Sequence, residues 1–142
     1  MPAPLIIGTD LARLDDFTLD LLLNREVLAV NQDPLGEPAR RVSQANDLEV
    51  WSRPLADGTT AVALFNRSRA RAKITARWSD LGLTGEQPVR DLWQRRDLGV
   101  YARSFAAEVP SHGAAFFKVG RARLNDRQIA ERVAAKYETI RK

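Results

Sequence analysis

A mainly β fold, an antiparallel Greek-key β-sandwich with two short helices before it and an amphipathic helix after it, is what this 142-residue sequence predicts. Three observations carry that reading. From Arg41 onward, short runs rich in β-branched and aromatic residues recur at roughly even spacing between turn residues. Two of these runs flank Ala56-Asp57-Gly58-Thr59, and Asp-Gly tolerates the positive φ of a tight hairpin turn. On either side of this region the apolar residues follow helical rather than alternating spacing.

Taken in order, the first element is the apolar run 5–7, set between Pro4 and Gly8-Thr9-Asp10. Periodicity cannot separate strand from helix at that length, but the flanking proline and glycine favour a buried strand. Asp15 is placed to cap a helix on which Phe17, Leu21 and Leu22 recur at helical spacing, with Asn24 at its end. A second short helix is expected over 25–30, stopped by Gln32-Asp33-Pro34 because proline disfavours a helical residue before it. Strands are expected over 48–55, 60–65, 73–78, 89–93, 101–109 and 114–119, with a helical turn at 79–83. Past Gly120, Asn125 or Asp126 can cap a helix whose Ile129, Val133, Tyr137 and Ile140 form one stripe. Arg127 with Glu131, and Glu138 with Lys142, are i,i+4 pairs on its outer side.

Composition narrows the function classes. With 44% hydrophobic and 28% charged residues the chain reads as ordinary and globular, and no apolar run approaches the roughly 18 residues of a membrane span. Cysteine is absent, which removes disulfides, thiolate chemistry and the usual structural zinc sites. That absence, with no visible signal peptide, fits a cytoplasmic setting. The net charge of +4 belongs to the tail, where seven Lys/Arg from Arg121 to Lys142 face Asp126, Glu131 and Glu138. These charges alternate with acids along an amphipathic helix, so a packing helix is expected, with no nucleic-acid or membrane partner.

Five blocks in fixed order define a resemblance: 3–11 (APLIIGTDL), 26–36 (EVLAVNQDPLG), 47–51 (DLEVW), 61–67 (AVALFNR) and 109–113 (VPSHG). Together they resemble the C-terminal part of the α-galactosidases of glycoside hydrolase family 27, over about residues 3–119. The resemblance implies that 1–33 holds the terminal strand and helices of a (β/α)8 catalytic barrel, 34–40 a linker and 41–119 a C-terminal β-sandwich. The tail 120–142 lies outside the pattern. The parent activity implied is hydrolysis of terminal α-galactose from galactosides and oligosaccharides. Related α-N-acetylgalactosaminidases and β-L-arabinopyranosidases share this region. A whole barrel needs about 250 residues, more than this chain has. The family's two catalytic aspartates, one in a Lys-Tyr-Asp pattern, lie upstream of everything present. No catalytic, substrate-binding or metal-ligating residue is therefore assigned, and no cofactor is expected. The partner implied is the remainder of the barrel or a second copy of this chain, with galactoside a ligand only of the full-length parent. The alternative is a free-standing β-sandwich module that binds carbohydrate or protein.

Several residues invite a chemical role and are better read structurally. Asp10 follows the candidate barrel strand, but the family's usual Asp-Leu-Arg is here Asp10-Leu11-Ala12-Arg13, which displaces the bracing arginine. Asp15, Asp16 and Asp20 sit where a helix N-terminus favours acids. His112, the single histidine, is expected in a sharp reversal between strands. Trp78 shares strand parity with Ile74 and Ala76, so it is assigned to the core. Trp51 shares a face with Glu49 and Arg53 and is the better candidate for an interface with a barrel. A sugar platform of Trp51, Trp78 and Trp93 is the weaker reading. Asn66-Arg67-Ser68 fits the N-glycosylation pattern, but modification is not expected. Burying Leu5, Ile6 and Ile7 would be worth about 1.5–3 kcal/mol each, so without a barrel this segment is expected to fray, repack or join another chain.

Overall fold

Two polar side chains start the helical pair. A computed structural model of the chain describes residues 8, 10 and 13–140, so the expected strand at 5–7 lies outside the described residues. Asp15 accepts a 2.7 Å hydrogen bond from the Thr18 amide and opens α1 (Asp16–Leu22). Hydrogen bonding from Thr18 holds its carboxyl below the ordinary carboxylate range. Asn24, expected to end that helix, instead opens the next one. Its Oδ1 accepts from Glu26 N (3.1 Å) and Val27 N (3.3 Å), two amides in the first turn of α2 (Arg25–Asn31). The backbone of Asn24 is extended (φ −65°, ψ 99°), which turns its side chain forward onto α2. Past α2 the Asp33 carboxylate accepts from Leu35 N and from Ala56 N, and so ties the end of the helical pair to the turn around Asp57-Gly58.

Eight strands follow: β1 (Arg40–Ala45), β2 (Leu48–Pro54), β3 (Thr60–Asn66), β4 (Ala72–Arg77), β5 (Gln87–Asp91), β6 (Arg96–Tyr101), β7 (Ser104–Val109) and β8 (Ala114–Val119). They form a six-stranded sheet in the order β1-β2-β3-β8-β5-β6 and a two-stranded sheet β4-β7, all antiparallel. The chain leaves the large sheet after β3, returns for β5 and β6, crosses again for β7 and returns as β8 between β3 and β5. This interleaving is the connectivity expected of a Greek key. Between the sheets lie Val50, Val62, Leu64, Ile74, Ala76, Trp78, Val89, Phe105, Val109, Phe117 and Val119. Edge-to-face contacts run from Tyr101 to Phe105 (4.9 Å) and on to Phe117 (4.8 Å). Buried Trp78 satisfies its indole N–H on the Tyr101 carbonyl at 2.8 Å.

The structure divides the expected 101–109 strand. Tyr101 ends β6 in one sheet and Ser104 begins β7 in the other, while the intervening Arg103 carbonyl accepts from Trp78 N. Strand β6 had no sequence signal because it is an edge strand, mostly exposed, with Asp97 and Gly99 breaking the alternation.

The last helix, α3 (Asp126–Ile140), starts at a reciprocal cap in which Asn125 and Gln128 each accept from the other's amide at 3.0 Å. Its apolar stripe is only part of its docking, with Ile129 and Val133 half-buried and Tyr137 51% exposed. The firm contacts are polar. Arg132 donates to the carbonyls of Leu55 (3.1 Å) and Ala56 (3.2 Å), and Lys136 to the carbonyl of Leu35 (2.6 Å). Lys136 also pairs with Glu37 at 3.0 Å.

Candidate functional site

The inner face of the large sheet is spent on the core, which leaves its outer face as one surface open to recognition. Strand pairing lays that face out in rows. One row runs Arg41, Trp51, Ala63, Phe116; the next runs Gln44, Glu49, Phe65, Ala114. A third runs Arg53, Ala61, Lys118, Arg90. Helix α2 lies on this third row, where Val30, Leu55, Ala61 and Leu92 form a second buried cluster with Val27 and Phe116 against it. Polar ties fix the helical pair in place. Asn24, 2% exposed, donates from Nδ2 to the Leu92 carbonyl at 2.8 Å. Glu26 takes Arg90 Nε and Nη2 in two 2.7 Å bonds, and Asp20 takes Arg95.

Beyond these ties several large apolar side chains are left exposed. Helix α1 buries none of its residues, and Phe17 (77% exposed), Leu21 and Leu23 stand out from it. Trp93, 38% exposed, packs on Phe116 with ring centroids 6.0 Å apart. A groove of about 260 Å³ runs between α2 and the sheet, lined by Val27, Leu28, Trp51, Arg53, Ala63 and Phe116.

Internal hydrogen bonds and ion pairs hold the carboxyls around this surface low. Hydrogen bonds from Arg90 hold the Glu26 carboxyl below its ordinary range and raise Arg90 in turn. A 2.7 Å bond from the Trp51 indole holds Glu49 low, helped by Arg67 and Arg41. Burial pushes Asp57 up, but Lys118 at 2.7 Å and the bonds from Thr59 outweigh it, leaving it low. A general acid for glycoside cleavage needs the opposite, a carboxyl whose pKa is raised. Among the described residues no three His, Cys, Asp or Glu side chains converge as metal ligands, and no helix is long and apolar enough to cross a membrane.

The residues singled out from sequence fall as follows. Asp10 pairs with Arg13 at 3.5 Å, both exposed. Asp15 caps α1, Asp16 lies in its first turn and Asp20 faces Arg95, so the three are not one cluster. His112 occupies the β7–β8 reversal with φ 53°. The tryptophans do not share a platform: Trp78 is in the core, whereas Trp51 and Trp93 are on the outer side. Asn66 is 1% exposed and its Nδ2 donates to Ala70 and Val109 carbonyls, so the nitrogen that a glycan would need is sealed and spent. Sequence reasoning missed the burial of Arg53. Its place on the Trp51 face was legible, but a charged residue at that parity reads as solvated until α2 is laid over it.

Similarity to known proteins adds the context. A family described as "Alpha galactosidase C-terminal beta sandwich domain" matches residues 45–119. The chain is similar to an α-galactosidase of Cyamopsis tetragonoloba, 45% identical over 117 residues, covering 81% of this chain and 28% of that protein. It is 43% identical to α-galactosidase 2 of Arabidopsis thaliana over 84% of this chain and 31% of that one. Among solved structures, a family 27 β-L-arabinopyranosidase from Geobacillus stearothermophilus superposes with a TM-score of 0.79 at 38% identity, covering 85% of this chain and 27% of that chain. α-Galactosidase I of Mortierella vinacea gives 0.79 at 34% identity, covering 87% and 34%. The chain thus spans less than a third of the length of these two curated relatives.

Proposed function

Because this chain belongs to the α-galactosidase C-terminal β-sandwich family, we propose that it is the terminal module of a retaining hydrolase that releases terminal α-D-galactosyl residues. The chain's own part in that activity is mechanical. Residues 1–33 complete and cover one side of a catalytic barrel, 34–40 link, and 41–119 brace the barrel end. One observation carries the reading: α1 buries none of its residues, and Phe17, Leu19, Leu21 and its cap Leu23 are all exposed. Exposed large apolar side chains gathered on one short helix mark an interaction site. The partner that fits is the upstream barrel portion found in the longer relatives. The choice of α-galactose over β-L-arabinopyranose follows the names of most similar proteins and not any residue of this chain.

Grafting this chain in place of the matched segment of the Cyamopsis tetragonoloba enzyme tests the proposal. The chimera should fold and hydrolyse an aryl α-galactoside, and Phe17→Asp with Leu21→Asp should lower its thermal stability with KM unchanged. A well-folded chimera without hydrolysis, or one indifferent to those two changes, would overturn it.

A further inference from the structure

The small sheet, which closes the core on the side away from α1 and α2, turns a cationic face to solvent. Alternation along β4 buries Ile74 and Ala76 and leaves Lys73, Thr75 and Arg77 exposed. On β7, Phe105, Ala107 and Val109 go to the core, so Ser104, Ala106 and Glu108 share the outer side. Register sets Lys73 opposite Glu108, Thr75 opposite Ala106 and Arg77 opposite Ser104. Arg71 and Arg103 directly precede the two strands and are exposed. These four cations stand against the carboxylate of Glu108, which lies 3.9 Å from Arg71. Lys73, Arg77 and Arg103 have no side-chain hydrogen bond or ion pair among the described residues.

At one end of this face Arg77 and Arg103 line an open cleft of about 600 Å³ together with Ser79, Thr84 and Ser104. No carboxylate lines it, and the adjacent Asp80 accepts from Ser79 Oγ at 3.1 Å. An unpaired guanidinium offers a planar fork that holds a carboxylate in two parallel bonds. The hydroxyls among these cations can both donate to and accept from the hydroxyls of a sugar. The large apolar side chains that the chain exposes all lie elsewhere. The face therefore has neither rings on which nucleic-acid bases would stack nor apolar groups to enter a bilayer.

We propose that the outer face of the β4–β7 sheet binds a linear acidic polysaccharide whose sugar rings carry carboxylates. One carboxylate docks in the cleft between Arg77 and Arg103. The polymer then runs along β4, where Lys73 stands about 13 Å from Arg77 at the usual strand rise, and meets it with a later carboxylate. Helices α1 and α2 lie on the other sheet, so the site stands whether or not the chain braces a barrel.

Titration of the isotope-labelled chain with polygalacturonate oligomers tests it, with the fully methyl-esterified oligomer as the neutral match. The acid should shift the Thr75, Arg77 and Ser104 amide signals saturably, and the ester should not. Lys73→Gln, Arg77→Gln and Arg103→Gln together should weaken binding at least about tenfold, the combined effect of three exposed charge contacts. Arg121→Gln, Arg123→Gln and Arg127→Gln remove as many cations from the tail and should change binding less than about twofold. Equal binding of the ester, a sheet variant that binds as the parent does, or tail changes that cost as much as the sheet changes would overturn the proposal. So would a thymidine oligonucleotide or phosphatidylserine vesicles that bind as well as the acid at equal charge, or no saturable shift up to about 10 mM uronate. Should the sheet variant fail to fold, the position of the shifts on the unaltered chain, on β4 and β7 or on α3, still decides.

Discussion

Replacing Asn24 with alanine removes two jobs at once, and the structure sizes each. Its Oδ1 caps α2 through Glu26 N and Val27 N, and loss of such a cap costs about 1 kcal/mol. Its Nδ2 satisfies the Leu92 carbonyl at 2.8 Å in a site that is 2% exposed. Leaving that acceptor without a donor costs about 1–3 kcal/mol more. The sum, about 2–4 kcal/mol, is a large part of the roughly 5–15 kcal/mol that holds a domain folded. Urea unfolding followed by far-UV circular dichroism should place the Asn24→Ala midpoint about 1–2 M below the parent, given slopes of about 1–3 kcal/mol/M. Asn24→Asp separates the two jobs, because it keeps the cap acceptor and replaces the Nδ2 donor with an oxygen facing the Leu92 carbonyl. It should be as destabilising as alanine or worse. If Asn24→Asp matches the parent, the bond to Leu92 contributes nothing and the joint between helices and sandwich has been misread.

Three further outcomes are expected. The depressed Glu26 carboxyl contributes stability that is complete above its ordinary value of 4.5 and is lost as pH falls through the lower folded value. Urea midpoints measured from neutral pH into acid should therefore fall less steeply for Glu26→Gln than for the parent, and equal slopes would refute the assignment. Lys136→Met keeps the stem but removes the bond to the Leu35 carbonyl and the Glu37 pair, and should cost about 1–2 kcal/mol by the same unfolding assay. The unaltered chain should associate with rising concentration in sedimentation velocity, and Phe17→Ser, Leu21→Ser and Leu23→Ser together should return it to a monomer, because those side chains are exposed in the structure.

Residue patterns made much of the fold legible. The strand at 114–119 and the Asp57-Gly58 hairpin could be read because alternation and turn chemistry are local properties of the chain. The division of 101–109 between two sheets could not. Ser104 to Val109 continue a β-like run from Tyr101, and only the demand of Trp78 for backbone at Arg103 and Tyr101 shows where the chain must cross. Asn24 was misread because a polar residue between two helices suits either end, and its long-range bond to Leu92 spans 68 positions. The outer face was half legible. Parity put Trp51, Glu49 and Arg53 together, yet the burial of Arg53 depends on α2 lying over it, which no local pattern encodes. Helix α3 was recognisable as amphipathic, but its grip comes from Arg132 and Lys136, whose carbonyl partners at Leu55, Ala56 and Leu35 lie far away in the chain and are encoded by no local pattern.

The way α3 attaches bears on how the chain can change over generations. Of the contacts made by Arg132 and Lys136, those to Leu55, Ala56 and Leu35 all end on main-chain carbonyls, and only that to Glu37 ends on a side chain. Carbonyls are present whatever residue occupies a position. The receiving surface can therefore drift in sequence with little loss of the helix, provided its backbone path is kept, while the helix must retain its arginine and lysine. Selection is one-sided at this joint, and a segment carrying those two cations at the same spacing could be transferred to another sandwich with the same hairpin and linker path.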